Sequence, residues 1–411
     1  MFCYNHNRVL GRMVEKVSKD FLLPFCYTKG ERDGMIKIFT LPANEGDFIW
    51  ICYGENEMYN HILIDGGPKE CGEEYASIIN IIDERKEKIE ALVLTHVDYD
   101  HIQGAIEGIC RSSNDLLNRT VKKIYFNTCQ GVRRNLKEVC KFPENSNFAE
   151  DQIRVNPDYK KYSVRDGIKF LDLLSEKGLE DRLVDYVVYG EQTTLHNNAI
   201  IQFISPGKKE LIKFANQWEK YEKENEYIQY VSNLDMVKKN LSDLMNENLA
   251  SDPSINNASS IAFIFEYQSI KLAFLGDARP SVCLQGIKKI NNADYLEVDL
   301  LKLSHHGSRS NTSDSLLKTI RTNNYLLSTN GYRKKVPHKV VLSHLLKNSG
   351  EEKINLYCNY DWYNTEYHER YFTLKDYKEF LDTKKLSLYL LDDQALEIKD
   401  GCYIYGEYGM F

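Results

Sequence analysis

The tightest constraint on this chain lies at residues 91–101, where an apolar run, ALVLT, breaks off into His96-Val97-Asp98-Tyr99-Asp100-His101. Four metal-binding side chains fall within six residues, in a turn that follows a buried-type strand and so has no core to hide them in. A plain polar loop would need only capping aspartates. Four ligand types packed this tightly fit a metal site better. Imidazole with carboxylate suits Zn, Mn or Fe, and a carboxylate-rich set leans toward the harder ions.

The same pattern recurs. LAFLGD (272–277) ends on Asp277, and VDLLKL (298–303) opens into Ser304-His305-His306-Gly307-Ser308. Taken alone, Asp277 reads as a turn residue and the histidine pair as a cap or an interface contact. Repetition changes the reading. Three separate strands that end in His or Asp are what an α/β sandwich with its site along one sheet edge requires.

The rest of the chain supplies such a sandwich. Residues 35–41 (MIKIFTL), 48–53 (FIWICY) and 61–65 (HILID) are short β-favouring runs separated by turn signals. Tyr75, Ile78, Ile79 and Ile82 share one face of a helix expected over 73–88. Further strands are expected at 125–128, 199–204 and 325–329, with a helix over 167–177 capped by Ser163 or Asp166. A hairpin is expected from 261–267 and 271–275, and a closing pair of strands at 386–391 and 395–399. Residues 207–250, rich in Lys, Glu, Asn and Tyr and free of Pro, read as a helical insertion whose charge is a solvated face. Residues 1–33 carry no clear period and read as an N-terminal extension to a domain over 34–405.

Composition sets the outer limits. A chain of 411 residues with 42% apolar and 27% charged residues is ordinary for a globular protein. The net charge of -7 excludes a generic basic surface for nucleic acid. It leaves room for a local groove, because bound metal ions supply positive charge of their own. Ten scattered cysteines without a Cys-x-x-Cys pair suggest neither a zinc ribbon nor a disulfide framework; free thiols fit a reducing compartment. Charges interrupt the first 25 residues, so no signal-peptide core is present, and no window approaches the ~20 apolar residues that cross a bilayer. The expectation is a cytoplasmic protein without membrane insertion.

LIDGG (63–67), THVDYDH (95–101), FLGD (274–277) and LLKLSHHGS (300–308) resemble, in order, the motifs of the metallo-β-lactamase superfamily. More narrowly they resemble the hydrolase domain of ComEC/Rec2-type DNA-uptake proteins, a likeness that extends to Asn257-Ala258-Ser259-Ser260, Asn330-Gly331 and Pro337-His338. The resemblance covers roughly residues 34–400. It implies an α/β (α+β) fold, the αββα sandwich of two mixed β-sheets flanked by helices, with a site for two divalent metal ions, Zn or Mn. By the same likeness His96 and Asp98 hold one ion, Asp100 and His101 the other, and Asp277 bridges them. His305 or His306 completes the shell, and Asp65 orients ligands by hydrogen bonds. The superfamily often has His where Asp98 stands, and Asp there is typical of the ComEC-like branch. A further superfamily histidine, between the second and fourth motifs, has His196 as its nearby candidate.

The reaction implied is hydrolysis of a phosphoester, with hydroxide between the metals as nucleophile and Asp100 or Asp277 receiving a proton. His338, Lys302, Ser308 and Arg309 are candidates for phosphate contact. A nucleic acid or nucleotide is the expected substrate, and a protein partner encoded nearby is an expectation by analogy only. Two other classes stay open: a small-molecule metallohydrolase (phosphocholine-type esterase, cyclic-nucleotide phosphodiesterase, lactone or thioester hydrolase), and an inactive binding module on the same scaffold.

Overall fold

Alternation along the strands decides the layering. In β1 (Met35–Thr40) and β2 (Ile49–Glu55), Ile36, Ile38, Ile49, Ile51 and Tyr53 face one way, while Phe39, Trp50 and Cys52 face the other. Both faces are apolar and buried, so these strands lie inside the molecule with cover on each side. β9 (Ala262–Tyr267) and β10 (Ile270–Phe274) repeat the pattern: Phe263, Phe265, Leu272 and Phe274 join the first set, and Ala262, Ile264 and Ala273 point away. The shared set forms a core between two sheets, where the Tyr53 ring meets Phe265 and Tyr267 at 5.2 and 5.1 Å.

These features come from a computed structural model, which describes residues 35–55, 58–136, 163–223, 239–331, 336–364, 371–392, 394–399 and 402–404. The expected extension at 1–33 lies outside the described residues. The first sheet also contains β3 (Met58–Ile64), β4 (Lys88–Val93), β5 (Ile124–Tyr125), β6 (Leu183–Val184), β17 (Leu396–Lys399) and β18 (Cys402–Ile404). Its order is β18-β17-β1-β2-β3-β4-β5-β6, antiparallel as far as β3 and parallel from there on. The second contains β7 (Gln192–Thr194), β8 (Ile200–Ser205), β12 (Leu300–Lys302), β14 (Asn324–Leu327), β15 (Ile354–Cys358) and β16 (Leu386–Leu390) beside β9 and β10. Its order is β16-β15-β14-β12-β10-β9-β8-β7, parallel from β16 to β10 and antiparallel from β10 to β7. A small parallel pair, β11 (Leu296–Glu297) with β13 (Ile320–Arg321), stands apart.

Helices cover the outer faces. α1 (Gly72–Glu84), α2 (Tyr99–Arg111), α3 (Ser163–Lys177) and α4 (Lys208–Lys223) bury Tyr75, Ile79, Ile102, Phe170 and Trp218 against the first sheet. α5 (Pro280–Ile290) and α6 (Lys339–Asn348) bury Cys283, Ile287, Leu342 and Leu345 against the second. Helix, sheet, sheet, helix is the αββα sandwich of metallo-β-lactamase type that the motifs imply.

Two readings of the architecture change. The strands expected to close the fold as a pair do not meet: β16 ends the second sheet, whereas β17 pairs with β1 in the first. α4 is part of the helical layer rather than an appendage, because Leu211, Phe214, Ala215 and Trp218 supply an apolar stripe; residues 224–238 of the expected insertion lie outside the described residues. Tyr357 and Cys358 close β15, and the Trp362 ring stands 4.8 Å from Tyr371 in an aromatic cluster.

Candidate metal centre

Parallel strands deliver their C-terminal ends to one edge, and there the polar motifs converge. β3 runs into Asp65, β4 leads through Leu94 and Thr95 to His96, β10 leads to Asp277, and β12 leads to His305 and His306. Asp98 is the N-cap residue of α2, which then presents Asp100 and His101 in its first turn. The loop 65–67 fastens α2 in place: Gly66 N donates to His101 O at 2.7 Å and Gly104 N to Gly67 O at 2.9 Å. No side chain could stand at Gly104, where a Cβ would come within 1.9 Å of Gly66 O. Asp65, His305 and His306 hold left-handed φ values of 54°, 46° and 54°. Strain of order 1–3 kcal/mol per residue gathers where surrounding structure over-determines it, commonly at functional sites.

The four histidines share one arrangement. His101 Nδ1 lies 2.7 Å from Asp65 Oδ2, and Thr95 N and Oγ1 donate to the same carboxylate. Thr95 Oγ1, having given its proton to Asp65, accepts from His96 Nδ1 at 3.0 Å. His306 Nδ1 donates to Ser328 O at 2.9 Å, and His305 Nδ1 to Asn311 Oδ1 at 3.0 Å. With Nδ1 protonated on each ring, the Nε2 lone pair is the ligand end, and all four turn it toward Asp277. Asp277 Oδ2 stands 3.8 Å from His96 Nε2 and 3.6 Å from His305 Nε2; Oδ1 stands 3.7 Å from His101 Nε2 and 3.9 Å from His306 Nε2.

Those separations are too long for hydrogen bonds. They are close to the roughly 3.4 Å between two ligands that each sit ~2.1 Å from one tetrahedral ion. His96 Nε2, His101 Nε2, His306 Nε2 and Asp277 Oδ1 are buried without a hydrogen-bond partner, a costly state unless something else satisfies them. Asp98 Oδ2 lies 3.6 Å from His96 Nε2, and ligand atoms of Asp100, His101 and His306 fall within 4.8 Å of one another. The donors therefore divide into two lobes about Asp277. His96 and His305 lie nearest Oδ2, with Asp98 beside His96. His101 and His306 lie nearest Oδ1, with Asp100 beside them, and His96 and His101 meet across Asp277.

Charge points the same way. Asp47, Asp65, Asp98, Asp100, Asp252 and Asp277 all belong to this region, and Lys302, paired with Asp47, offsets one of them. Burial alone would push the Asp277 carboxyl up, but His305, His101, His306 and His96 around it hold it well below the usual carboxylate range. Burial would likewise lower His101, yet Asp277 and Asp65 outweigh it and push that imidazole up to about 10. Burial dominates at His306 and lowers it. So much carboxylate in one buried place calls for positive charge, and divalent cations fit both the charge and the donor set.

Several residues that the motifs single out have other partners or lie elsewhere. Lys302 is buried and committed to Asp47, so it is a structural cation and not a phosphate contact. Arg309 Nη2 donates to Asn248 O, and Ser308 Oγ accepts from Ser310 N; both shape the loop around the histidine pair. His196 is exposed before β8, whereas the site lies beyond the other end of that strand, where Ser205 pairs with Ala262 and Ile261 N donates to Thr95 O. A six-residue strand separates His196 from the cluster, too far for a ligand. His338 does stay close: its N–H donates to Gly307 O, and its Nδ1 accepts from Arg309 N at 3.1 Å, which leaves the ring proton on Nε2.

Other residues enter, of which the motifs name only Asn257. Asp47 Oδ1 stands 3.5 Å from His306 Nδ1. Asn256 Nδ2 donates to Asp98 Oδ1 at 2.7 Å, which leaves Oδ2 facing His96. Asp252, Asn257 and Asn311 surround His305 Nδ1. The Gly-Asp step before β2 and the Asn pair before β9 are the available signals; Asp252, in a Ser-Asp-Pro-Ser turn, offers none.

No protein-family model matches the chain. A hydroxyacylglutathione hydrolase of Psychromonas ingrahamii is 26% identical over 101 residues, a stretch that makes up 25% of this chain and 36% of that protein. The match thus spans about a third of the relative's own length. Among solved structures, a diphosphatase of the PhnP family overlays with a TM-score of 0.36 at 12% identity, covering 89% of this chain and 98% of that one. MEM-A1, a subclass B3 metallo-β-lactamase from a soil metagenome library, gives 0.27 at 10% identity, covering 76% and 88%. The overlays are loose; strand order and layering define the fold. What fold and site define together is a class: a sandwich of metallo-β-lactamase type with a histidine–aspartate cluster, able to hold metal, at the edge of its sheets.

Proposed function

We propose that the chain is a binuclear metal-dependent phosphodiesterase, acting on a nucleic acid or nucleotide. The observation that carries the reading is the division of four imidazoles between the two oxygens of Asp277. One lobe takes His96, Asp98, His305 and Asp277 Oδ2; the other takes Asp100, His101, His306 and Asp277 Oδ1. Both members of the histidine pair are then ligands, one in each lobe, and no contribution from His196 is needed. Two divalent ions held there, Zn or Mn, lower the pKa of water toward neutrality and take up charge on phosphoryl oxygens.

The chain's own groups do the rest. Asp65 and the Ser328 carbonyl fix the tautomers of His101 and His306. Asp100, half-buried where Asp277 is fully buried, is the group placed to receive the proton of the attacking water. His338, whose Nδ1 accepts from Arg309 N, would use Nε2 to donate to a phosphoryl oxygen or to the leaving group. The carboxylate-rich donor set and the likeness to ComEC-type motifs favour a phosphodiester over a thioester.

The match to a hydroxyacylglutathione hydrolase supports a second reading, a small-molecule ester or thioester hydrolase. The inactive-module reading is disfavoured by the intact ligand set. The test is a panel: single- and double-stranded DNA, RNA, bis-p-nitrophenyl phosphate and a glutathione thioester, each with added Mn or Zn and with Asp100→Ala as control. Nucleic-acid cleavage that the substitution abolishes is the expected result. Turnover of the thioester alone would replace it with the second reading, and no turnover with any metal would leave the binding module.

A further inference from the structure

Among the ligands assigned above, His305 stands apart in how it is held. His101 leans directly on a carboxylate, Asp65, at 2.7 Å. His305 instead leans on an amide. Asp252 Oδ1 accepts from Ser254 N at 2.8 Å, and its Oδ2 accepts from Asn257 Nδ2 at 2.7 Å and Asn311 Nδ2 at 2.8 Å. Asn311 Nδ2 also donates to the Asp277 carbonyl at 2.9 Å. A carboxylate and a carbonyl can only accept, so the Asn311 amide has one possible orientation, with Oδ1 toward His305 Nδ1 at 3.0 Å. That oxygen also only accepts, which puts the proton on Nδ1. Asn257 Nδ2, a donor already given to Asp252, lies farther from the same nitrogen at 3.2 Å and could bond it only without that proton. The shorter Asn311 contact and the Asp252 carboxylate 3.8 Å away favour the proton.

We propose that Asp252 is the positioning residue that makes His305 a metal ligand, acting through Asn311, so that the lobe of His96 and Asp98 is completed by His305. The inference rests on the binuclear reading. Asp252, Asn257 and Asn311 are all buried, yet none of them belongs to an apolar layer. The donations run in one direction, from the His305 imidazole to the Asn311 amide oxygen and from the Asn311 amide nitrogen to the Asp252 carboxylate. Asp252 thus does for His305, through Asn311, what Asp65 does directly for His101.

Asp252→Asn is the sharp variant, because it keeps shape and replaces one acceptor oxygen with an NH2 group. With Ser254 N still demanding the remaining oxygen, that NH2 faces the Nδ2 groups of Asn257 and Asn311. Asn311 must then turn over and offer its own NH2 to His305 Nδ1. The imidazole proton moves to Nε2, where the ligand lone pair is needed.

Metal-free full-length protein is titrated with Mn2+ by calorimetry, and spin coupling of the ion pair is followed by electron paramagnetic resonance. The wild type is expected to take up two equivalents. In Asp252→Asn one equivalent weakens by about 10–100-fold, the usual cost of losing an outer-shell partner, the coupled signal is lost, and the other equivalent keeps its affinity. Asn311→Ala, which leaves the Asp252 bonds to Ser254 and Asn257 in place, is expected to do the same and carries the test should Asp252→Asn fail to fold. Two equivalents at wild-type affinity in the variants would overturn the role of Asp252 and leave the binuclear site standing. Fewer than two in the wild type would overturn the site itself, and this inference with it.

Discussion

Burying Lys302 and Asp47 together is tolerable because each cancels the other's charge, and His306 stands beside the pair. Lys302→Met would leave the carboxylate uncompensated in the interior, a change that costs about 3–5 kcal/mol. Denaturant unfolding of the variant should show that loss; a change under about 1 kcal/mol would mean the pair is solvated and structurally idle. His196→Ala gives the opposite expectation: metal stoichiometry and turnover at wild-type level, since the side chain is exposed at the far end of β8. A missing metal equivalent in that variant would contradict the ligand set. At this scale the sequence exposes ligands better than their supports. His96, Asp277 and the histidine pair announce themselves by following apolar strands. Asp47 meets Lys302 across 255 positions and Asn256 meets Asp98 across 158, pairings that only the fold brings about. Lys302 itself misleads, because a lysine two residues before a polar motif looks exposed until the strand carrying it proves buried.

The turn between β1 and β2 is the element that ties the two sheets at the site. It carries Asp47 to His306, its Gly46 carbonyl accepts from Ser328 Oγ at 2.9 Å, and it lies directly on the start of α2. A Cβ on Gly46 would come within 1.7 Å of the Asp100 carbonyl oxygen, which is backbone and cannot swing aside. Gly46→Ala must therefore displace the turn or α2. The expected cost is about 1–3 kcal/mol, with a loss of turnover from the shift of Asp100; unchanged stability and turnover would show that the contact is slack. Elements are legible in proportion to their periodicity. α1 and the strands around it follow from apolar spacing. β16 and β17 are visible as strands but not as members of different sheets, because alternation says which residues face a core and not which strand lies alongside. α4 is visible as a helix but reads as an insertion, since its charged face outweighs in number the four apolar residues that dock it.

Across the whole molecule, the two sheets bring the proposed ligands from residues 96 to 306 to one edge, so metal binding should couple to global stability. Ions that bind only the folded chain stabilise it by about 2.7 kcal/mol per site at a hundredfold excess over Kd. Chelation should accordingly lower the thermal midpoint, and added Mn or Zn should restore it. An unchanged midpoint would mean that the buried Nε2 atoms are satisfied in some other way. No helix among the described residues is long and apolar enough to cross a membrane.

If two divalent ions shared by Asp277 drive phosphodiester hydrolysis, metal occupancy and turnover must rise together. Titrating metal-free protein with Mn2+ while following bis-p-nitrophenyl phosphate measures both at once. Turnover is expected to rise to a plateau at two equivalents and to be abolished in Asp277→Ala. Turnover that survives chelation, or that persists in Asp277→Ala, would contradict the binuclear mechanism.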